Sequence, residues 1–337
     1  MLTKKQALSW LKSGRTLIGQ QLGNKPGRCI ETYDHFIGDL FDATGKHPAI
    51  LGVSYWGGSV EEYKRMNAMI REHCEQGGIF TAYIPMNNPW TGEDHHDITR
   101  TRLLDLITPG SDVYDTWRYN LDLMVTRLSE IGDCPGIWRP FHECTYARGA
   151  WWTPQNWWGA DYLREQDVSD FKAVWQHWHR YFDEAGLDNL IWALSTANRA
   201  APSASALDMY AGPEYVDLCG PSLYWGETLV DNYNPPAPFV ICETGNDSGA
   251  PVSLPHYYAP LLDLGGGYML VWASWPRAEG EHVAIVDNFD RTAFMNLPQL
   301  VTREELNAPT VEPVKLRIAG KFDELAELFR EWETTGG

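Results

Sequence analysis

Gly136-Ile137-Trp138-Arg139-Pro140-Phe141-His142-Glu143 is a short apolar run that ends in polar and charged residues. A run of that length, too short for a helix, fits a strand buried on both faces of a parallel sheet. Seven other runs share the pattern: Thr16 to Gly19, Ala49 to Val53, Ile79 to Tyr83, Leu190 to Leu194, Val216 to Gly220, Phe239 to Cys242 and Tyr268 to Trp272. Helical patterns lie between them. Ile30 to Ala43 carries apolar residues at Ile30, Tyr33, Phe36, Ile37 and Leu40 and stops at Gly45. Ser59-Val60-Glu61-Glu62 is a capping box opening a helix that ends near Gly77-Gly78. Val113 to Ile131 and Phe171 to Ala185 are further helices, the second closed by Gly186. Repeated strand-helix order predicts an α/β fold with a parallel sheet, and eight such strands favour a closed (β/α)8 TIM barrel over an open doubly wound sheet.

The chain has 337 residues, 44% hydrophobic and 21% charged, enough to bury a large core. Composition does not break into two blocks, so one domain spanning 1–337 is expected. Pro309 to Pro313 reads as a connector. Beyond it Phe322, Leu325, Leu328, Phe329 and Trp332 form an apolar stripe, expected to be a packing helix around 320–333. A net charge of −18 repels phosphate backbones and anionic lipid, which makes nucleic acid and membranes poor partners. No window approaches the roughly 20 apolar residues of a membrane helix, and Met1 to Gln20 lacks the apolar core of a signal peptide. Six cysteines without CxxC pairs read as buried free thiols. No GxGxxG follows the first strand and no Walker A sequence occurs, so a dinucleotide or ATP site has no support. Gly265-Gly266-Gly267 precedes a strand and reads as a turn.

Sixteen Trp and 16 Tyr form the one unusual feature of the composition. Many lie in loop-like stretches: Tyr55-Trp56-Gly57, Pro89-Trp90-Thr91, Trp151-Trp152, Trp157-Trp158-Gly159, Tyr224-Trp225 and Trp275-Pro276. Loop aromatics can stack on the apolar face of a sugar ring, and this reading is preferred to ordinary core packing.

In a (β/α)8 barrel, chemistry gathers where strands end. Glu143 and Glu243 stand at the ends of the fourth and seventh runs. Paired carboxylates across a barrel mouth are what glycoside hydrolysis needs: one protonates the leaving oxygen while the other attacks or activates water. Either glutamate alone could instead be a structural carboxylate, bonded to Arg139 or to a backbone amide. Serine hydrolase chemistry lacks a GxSxG context at Ser248 or Ser253. His95-His96-Asp97 and His177-x-His179 contain metal-ligating types without metal-site spacing, so neither a metal nor a cofactor is expected.

The segment Arg139-Pro140-Phe141-His142-Glu143 resembles the RPFHE motif of glycoside hydrolase family 26, best known for β-mannanases. The resemblance continues at Gly19-Gln20-Gln21, Gly52-Val53, Asn88-Pro89, Tyr215 to Tyr224, Glu243-Thr244-Gly245 and Trp272, covering roughly Gly14 to Leu300. It implies a retaining endo-β-glycanase, with Glu143 as acid/base, Glu243 as nucleophile and a polysaccharide or oligosaccharide as partner. His142, Tyr224 and Trp272 would line the subsite where the bond breaks, Tyr224 holding the nucleophile through its hydroxyl. Arg139, Asn88 and Trp151 are counted with them as substrate-binding residues. Two segments depart from the family pattern. Cys144 to Ala150 replaces the usual Met-Asn-Gly after the acid, and Tyr83 to Asn87 replaces a Trp-His pair. Fold and mechanism therefore carry over better than mannan specificity, leaving β-1,3-xylan, β-glucan or a non-catalytic glycan-binding barrel as alternatives. Arg148, the single charged side chain between Cys144 and Ala150, is expected to donate to sugar hydroxyls or to an acidic substituent.

Overall fold

The computed structural model of the protein describes residues 1–144, 156–159, 165–197, 206–224, 235–246, 248, 250–274 and 282–306. All eight apolar runs are strands: β1 (Thr16–Gln21), β2 (Ile50–Ser54), β3 (Ile79–Tyr83), β4 (Gly136–Arg139), β5 (Leu190–Ala197), β6 (Leu218–Tyr224), β7 (Ile241–Gly245) and β8 (Tyr268–Val271). Each pairs in parallel with the next, and β1 pairs with both β2 and β8, which closes the barrel. One further strand, β9 (Leu300–Val301), was not expected. It pairs with β1 at Thr16 and Leu17, below the point where β2 takes over at Gly19. β8 already occupies the other side of Leu17. β9 therefore fills the lower half of the seam between β1 and β2.

Period-two alternation sorts strand residues between two cores. Leu17, Ile50, Ile79, Ile137, Ile191, Leu218, Val240, Tyr268 and Leu270 fill the barrel interior. Their neighbours Ile18, Leu51, Phe80, Trp138, Trp192, Cys219, Ile241 and Met269 face the surrounding helices. The floor is made by a helix that sequence reading overlooked, Lys4–Leu11, capped reciprocally by Thr3 and Gln6. Its Ala7 and Leu11 join the interior cluster. A β-carbon on Gly267 would lie 2.0 Å from the Leu11 carbonyl oxygen, so the glycine run before β8 admits this helix.

The outer helices begin and end where local chemistry directs. Ser59 and Glu62 form both halves of the capping box at the start of Val60–Glu75. The helical segment predicted at Ile30 begins one turn earlier, at Pro26, passes through a π-turn at Asp34–Asp39, and ends at Gly45 with φ 70°. Tyr114–Ser129 and Glu165–Glu184 follow, and Gly186, at φ 82°, terminates the second. Between these two helices and the barrel lie Trp117, Trp138, Trp157, Trp158, Trp175, Trp178 and Trp192, all among the largest fully buried side chains. Trp157 and Trp158 were expected to be sugar platforms, and their burial corrects that reading. Tyr55 is buried as well, whereas Trp56 and Trp90 keep partial exposure.

Residues Met1–Leu306 form one compact unit. The expected connector and packing helix around 320–333 lie outside the described residues. No helix among the described residues is long and apolar enough to cross a membrane. All six cysteines are buried, and none is in a disulfide.

Candidate active site

Above its apolar layer the barrel interior turns polar, with Thr81, Arg139, Ser195, Ser222 and Glu243 all buried near the strand ends. After β4 the chain turns through Pro140 to Cys144. Phe141 (φ 49°) and Glu143 (φ 53°) adopt left-handed backbone there, a conformation costing about 1–3 kcal/mol for a residue with a β-carbon. Surrounding contacts hold it. The Phe141 ring sits among Trp117, Trp178, Phe171 and Trp157, with ring centroids 5.0 to 6.1 Å away. Trp158 Nε1 donates to the His142 carbonyl at 2.9 Å, and the Cys144 amide donates to the Ser195 carbonyl at 3.2 Å. His142 and Glu143 are thereby fixed over the mouth.

Glu243 reaches the same place by a different device. Along β7, Val240 and Cys242 face the interior, so strict alternation would turn Glu243 outward. A register shift between Ile241 and Thr244 changes this: Ser222 pairs with Glu243 although Cys219 pairs with Phe239, an excess of one residue on β7. The bulge re-aims Glu243 inward. Its Oε1 accepts from Arg139 Nη1 at 2.9 Å, and its Oε2 accepts from the Tyr224 hydroxyl at 3.2 Å and faces His142 Nε2 at 3.2 Å. His142 Nε2 also lies 3.8 Å from Glu143 Oε1. One oxygen of each glutamate and a His142 nitrogen lie within 4.8 Å of one another.

The environments push the two carboxyls in opposite directions. For Glu143, burial raises the pKa, the nearby charge of Glu243 adds to it, and His142, Ser222 and Arg139 offset only part. For Glu243, burial would raise it too, but the charges and hydrogen bonds of His142 and Arg139 outweigh that and hold it below the ordinary carboxylate value. Divergent pKa values in one cleft are how acid and base roles are divided. Among the described residues, His142, Glu143 and Glu243 are also the one trio of metal-ligating types with mutually close atoms. The Arg139 guanidinium already supplies the positive charge at Glu243, which makes a second cation there unfavourable.

Five of the residues singled out in the sequence thus come together: Glu143, Glu243, His142, Tyr224 and Arg139. Trp272 stands beside them at the end of β8, 9% exposed, its ring edge-on to Tyr83 at 5.6 Å. Two expectations need correction. Arg139 is fully buried and bonded to Thr81, the Cys242 carbonyl and Glu243, so it acts on Glu243 and not on a substrate. Asn88 is fully buried too. Its amide donates to the carbonyls of Asp97 and Thr99 at 2.7 Å and accepts from the Trp90 amide, so it organises a loop and, being buried, presents no surface to a sugar. Trp151 and Arg148 lie outside the described residues. Tyr83, noted in the sequence only as the start of a segment that departs from the family pattern, packs against both His142 and Trp272; sequence reading overlooked Ser195, whose Oγ lies 2.9 Å from His142 Nδ1. Both stand near the ends of strands correctly placed from sequence, which was the available signal. The His95-His96 pair forms no metal cluster with described neighbours; His95 stacks on Trp158, and burial lowers its pKa to about 4.

The profile of Glycosyl hydrolase family 26 matches residues 2–235 of this chain. The chain belongs to that family. A mannan endo-1,4-beta-mannosidase of Bifidobacterium adolescentis is 26% identical over 217 residues, a match covering 58% of this chain and 20% of that protein. The chain therefore spans about a fifth of that relative's length. In fold it is similar to a Bacillus subtilis mannanase, with TM-score 0.73 and 20% identity over 89% of this chain and 92% of the other. It is also similar to a family 26 beta-mannanase from Bacteroides ovatus, with TM-score 0.68 and 19% identity over 91% and 98% of the two chains.

Proposed function

We propose that the protein is a retaining, endo-acting β-glycanase and that β-1,4-mannan is its substrate class. The observation that carries the proposal is the carboxylate pair: one oxygen of Glu143 within 4.8 Å of one oxygen of Glu243, with one carboxyl raised and the other lowered in pKa. Retaining enzymes hold their carboxyls about 5 to 5.5 Å apart, whereas inverting ones separate them by roughly 6.5 to 9.5 Å to admit a water. Glu143, which keeps its proton, donates it to the glycosidic oxygen as the bond breaks. Glu243, ionised, attacks the anomeric carbon from the opposite face and forms a glycosyl ester. Glu143, now a carboxylate, deprotonates a water that hydrolyses the ester and regains its proton, and Glu243 leaves as a carboxylate. Tyr224 and Arg139 hold Glu243 in place for the attack, and Trp272 offers an apolar wall to the sugar ring.

Mannan as the substrate rests on the family and on the mannanase activity named for its relatives. Arg148 and Trp151 are proposed to contact the glycan. The test is incubation with β-mannan, β-1,3-xylan and mixed-linkage glucan, scoring reducing ends and, by NMR, the anomer first released. Cleavage of mannan within the chain with retention of the β-anomer is expected. First release of the α-anomer would overturn the mechanism, and preference for another glycan would overturn the substrate. A protein that retards a glycan in affinity gels but releases no reducing ends would be a binding barrel.

A further inference from the structure

We propose that Cys74 and Cys134 are a disulfide-forming pair, which a small-molecule disulfide such as oxidised glutathione converts into a covalent staple between the helix Val60–Glu75 and the start of β4. Asn67, Arg71 and Cys74 stand at i, i+4 and i+7 of that helix, one stripe along its surface. The stripe lies against the chain that leads from the helix Tyr114–Ser129 into β4. Asn67 Nδ2 donates to the Arg127 carbonyl at 2.8 Å and to Glu130 Oε2 at 3.1 Å, and Arg71 Nη1 donates to the Glu130 carbonyl at 2.5 Å. Next along both segments Cys74 meets Cys134, with the two thiols within hydrogen-bonding reach of each other. Both backbones are pinned. The Cys74 carbonyl accepts from the Gly77 amide at 2.9 Å, the Cys134 carbonyl from Asn189 Nδ2 at 2.5 Å, and the Pro135 carbonyl from the Phe80 amide at 3.3 Å. The elements that carry the two sulfurs are thus in contact before any bond forms, a condition for bridging without backbone movement.

The surroundings also divide the roles in the exchange. The hydrogen bond from Cys74, aided by the charge of Arg71, holds the Cys134 thiol below its ordinary pKa, and the same bond with burial raises that of Cys74. Cys134 is therefore the attacking thiolate. It attacks one sulfur of the small disulfide, forms a mixed disulfide and displaces one small thiolate. Cys74, losing its proton, then attacks the Cys134 sulfur and displaces the second. The two protons shed by the protein end on the two small thiols, so two protein thiols are oxidised as one small disulfide is reduced. Both sulfurs are buried, so the exchange takes place in the folding chain and in locally opened molecules. The bridge closes a loop of about 60 residues, which restricts the unfolded chain and favours the folded one.

The test uses the full chain in oxidised glutathione, with and without a cycle of urea unfolding and refolding. Alkylation after denaturation is expected to count four free thiols in place of six, and non-reducing peptide mapping to find Cys74 joined to Cys134. The bridged protein is expected to melt about 5–10 °C above the same protein treated with a phosphine reductant. Cys74→Ser and Cys134→Ser are each expected to abolish that difference between oxidised and reduced samples, whatever their own stability. Six free thiols under both treatments, or a bridge joining any other pair, overturns the proposal even if neither variant folds. A bridged protein that melts no higher than the reduced one overturns the staple. None of these readouts depends on glycan turnover, so failure of the glycosidase reading would leave the pair untouched.

Discussion

Glu143 and Glu243 differ in what surrounds them, and that difference gives the residue scale its first prediction. A substrate with an activated leaving group needs little protonation, so Glu143→Ala should retain substantial bond cleavage and be accelerated by azide entering the vacated space. Glu243→Ala should lose activity by about four orders of magnitude or more, with no azide rescue of the first step. Exchange of these behaviours would reverse the roles. The second prediction concerns pH. Glu243 must be ionised and its pKa is lowered, so activity rises with pH through a value below the ordinary carboxylate range. Glu143 must be protonated and its pKa is raised, so activity falls as pH passes above that range. The kcat/KM profile should be a bell, and Glu243→Asp should alter its acidic limb more than its basic one. Both carboxylates were legible in the sequence because a charge ending a buried run is costly without a use. Asn88 shows the limit: an Asn-Pro after a strand has the same letters whether its amide faces a ligand or ties its own loop.

At the scale of elements, Asn88 makes its own prediction. Its side chain pins the backbone from Trp90 to Thr99, and the same loop meets the active-site side of the molecule where the Trp157 amide donates to the His95 carbonyl at 3.1 Å. Asn88→Ala should lower unfolding free energy by about 2 kcal/mol, through lost bonds to buried carbonyls, as read in urea denaturation. A variant of native stability with a raised KM would return Asn88 to the substrate cleft. The strands were readable because burial on both faces leaves an uninterrupted apolar run, and Ile79 to Tyr83 matched to the residue. The bulge in β7 was not readable. Its signature is one residue in excess, a count visible only against β6 and β8. The Lys4–Leu11 helix, in contrast, announced itself through Thr3 and Gln6, a capping pair open to notice. Trp157 and Trp158 misled because their Gly- and Pro-rich surroundings mark a loop without telling whether that loop is covered.

For the molecule as a whole, a net charge of −18 sets an expectation about its ligand. A neutral polysaccharide gains nothing from the field of an acidic protein, so KM on unsubstituted mannan should change by less than about twofold between roughly 0.05 and 0.5 M salt. A steep salt dependence measured by the same assay would point to a charged glycan. The foot of the barrel has a different consequence, one that concerns biogenesis. Thr16 and Leu17 are paired by Leu300 and Val301, which the ribosome adds last among the described strands. At about 5–20 residues per second, on the order of 15 to 60 seconds separate the synthesis of β1 from that of β9. During that interval the lower edge of β1 is an open template for any passing strand. The nascent chain therefore carries this open edge until Leu300 and Val301 emerge, and a nonsense mutation shortly upstream of Leu300 would make that interval permanent.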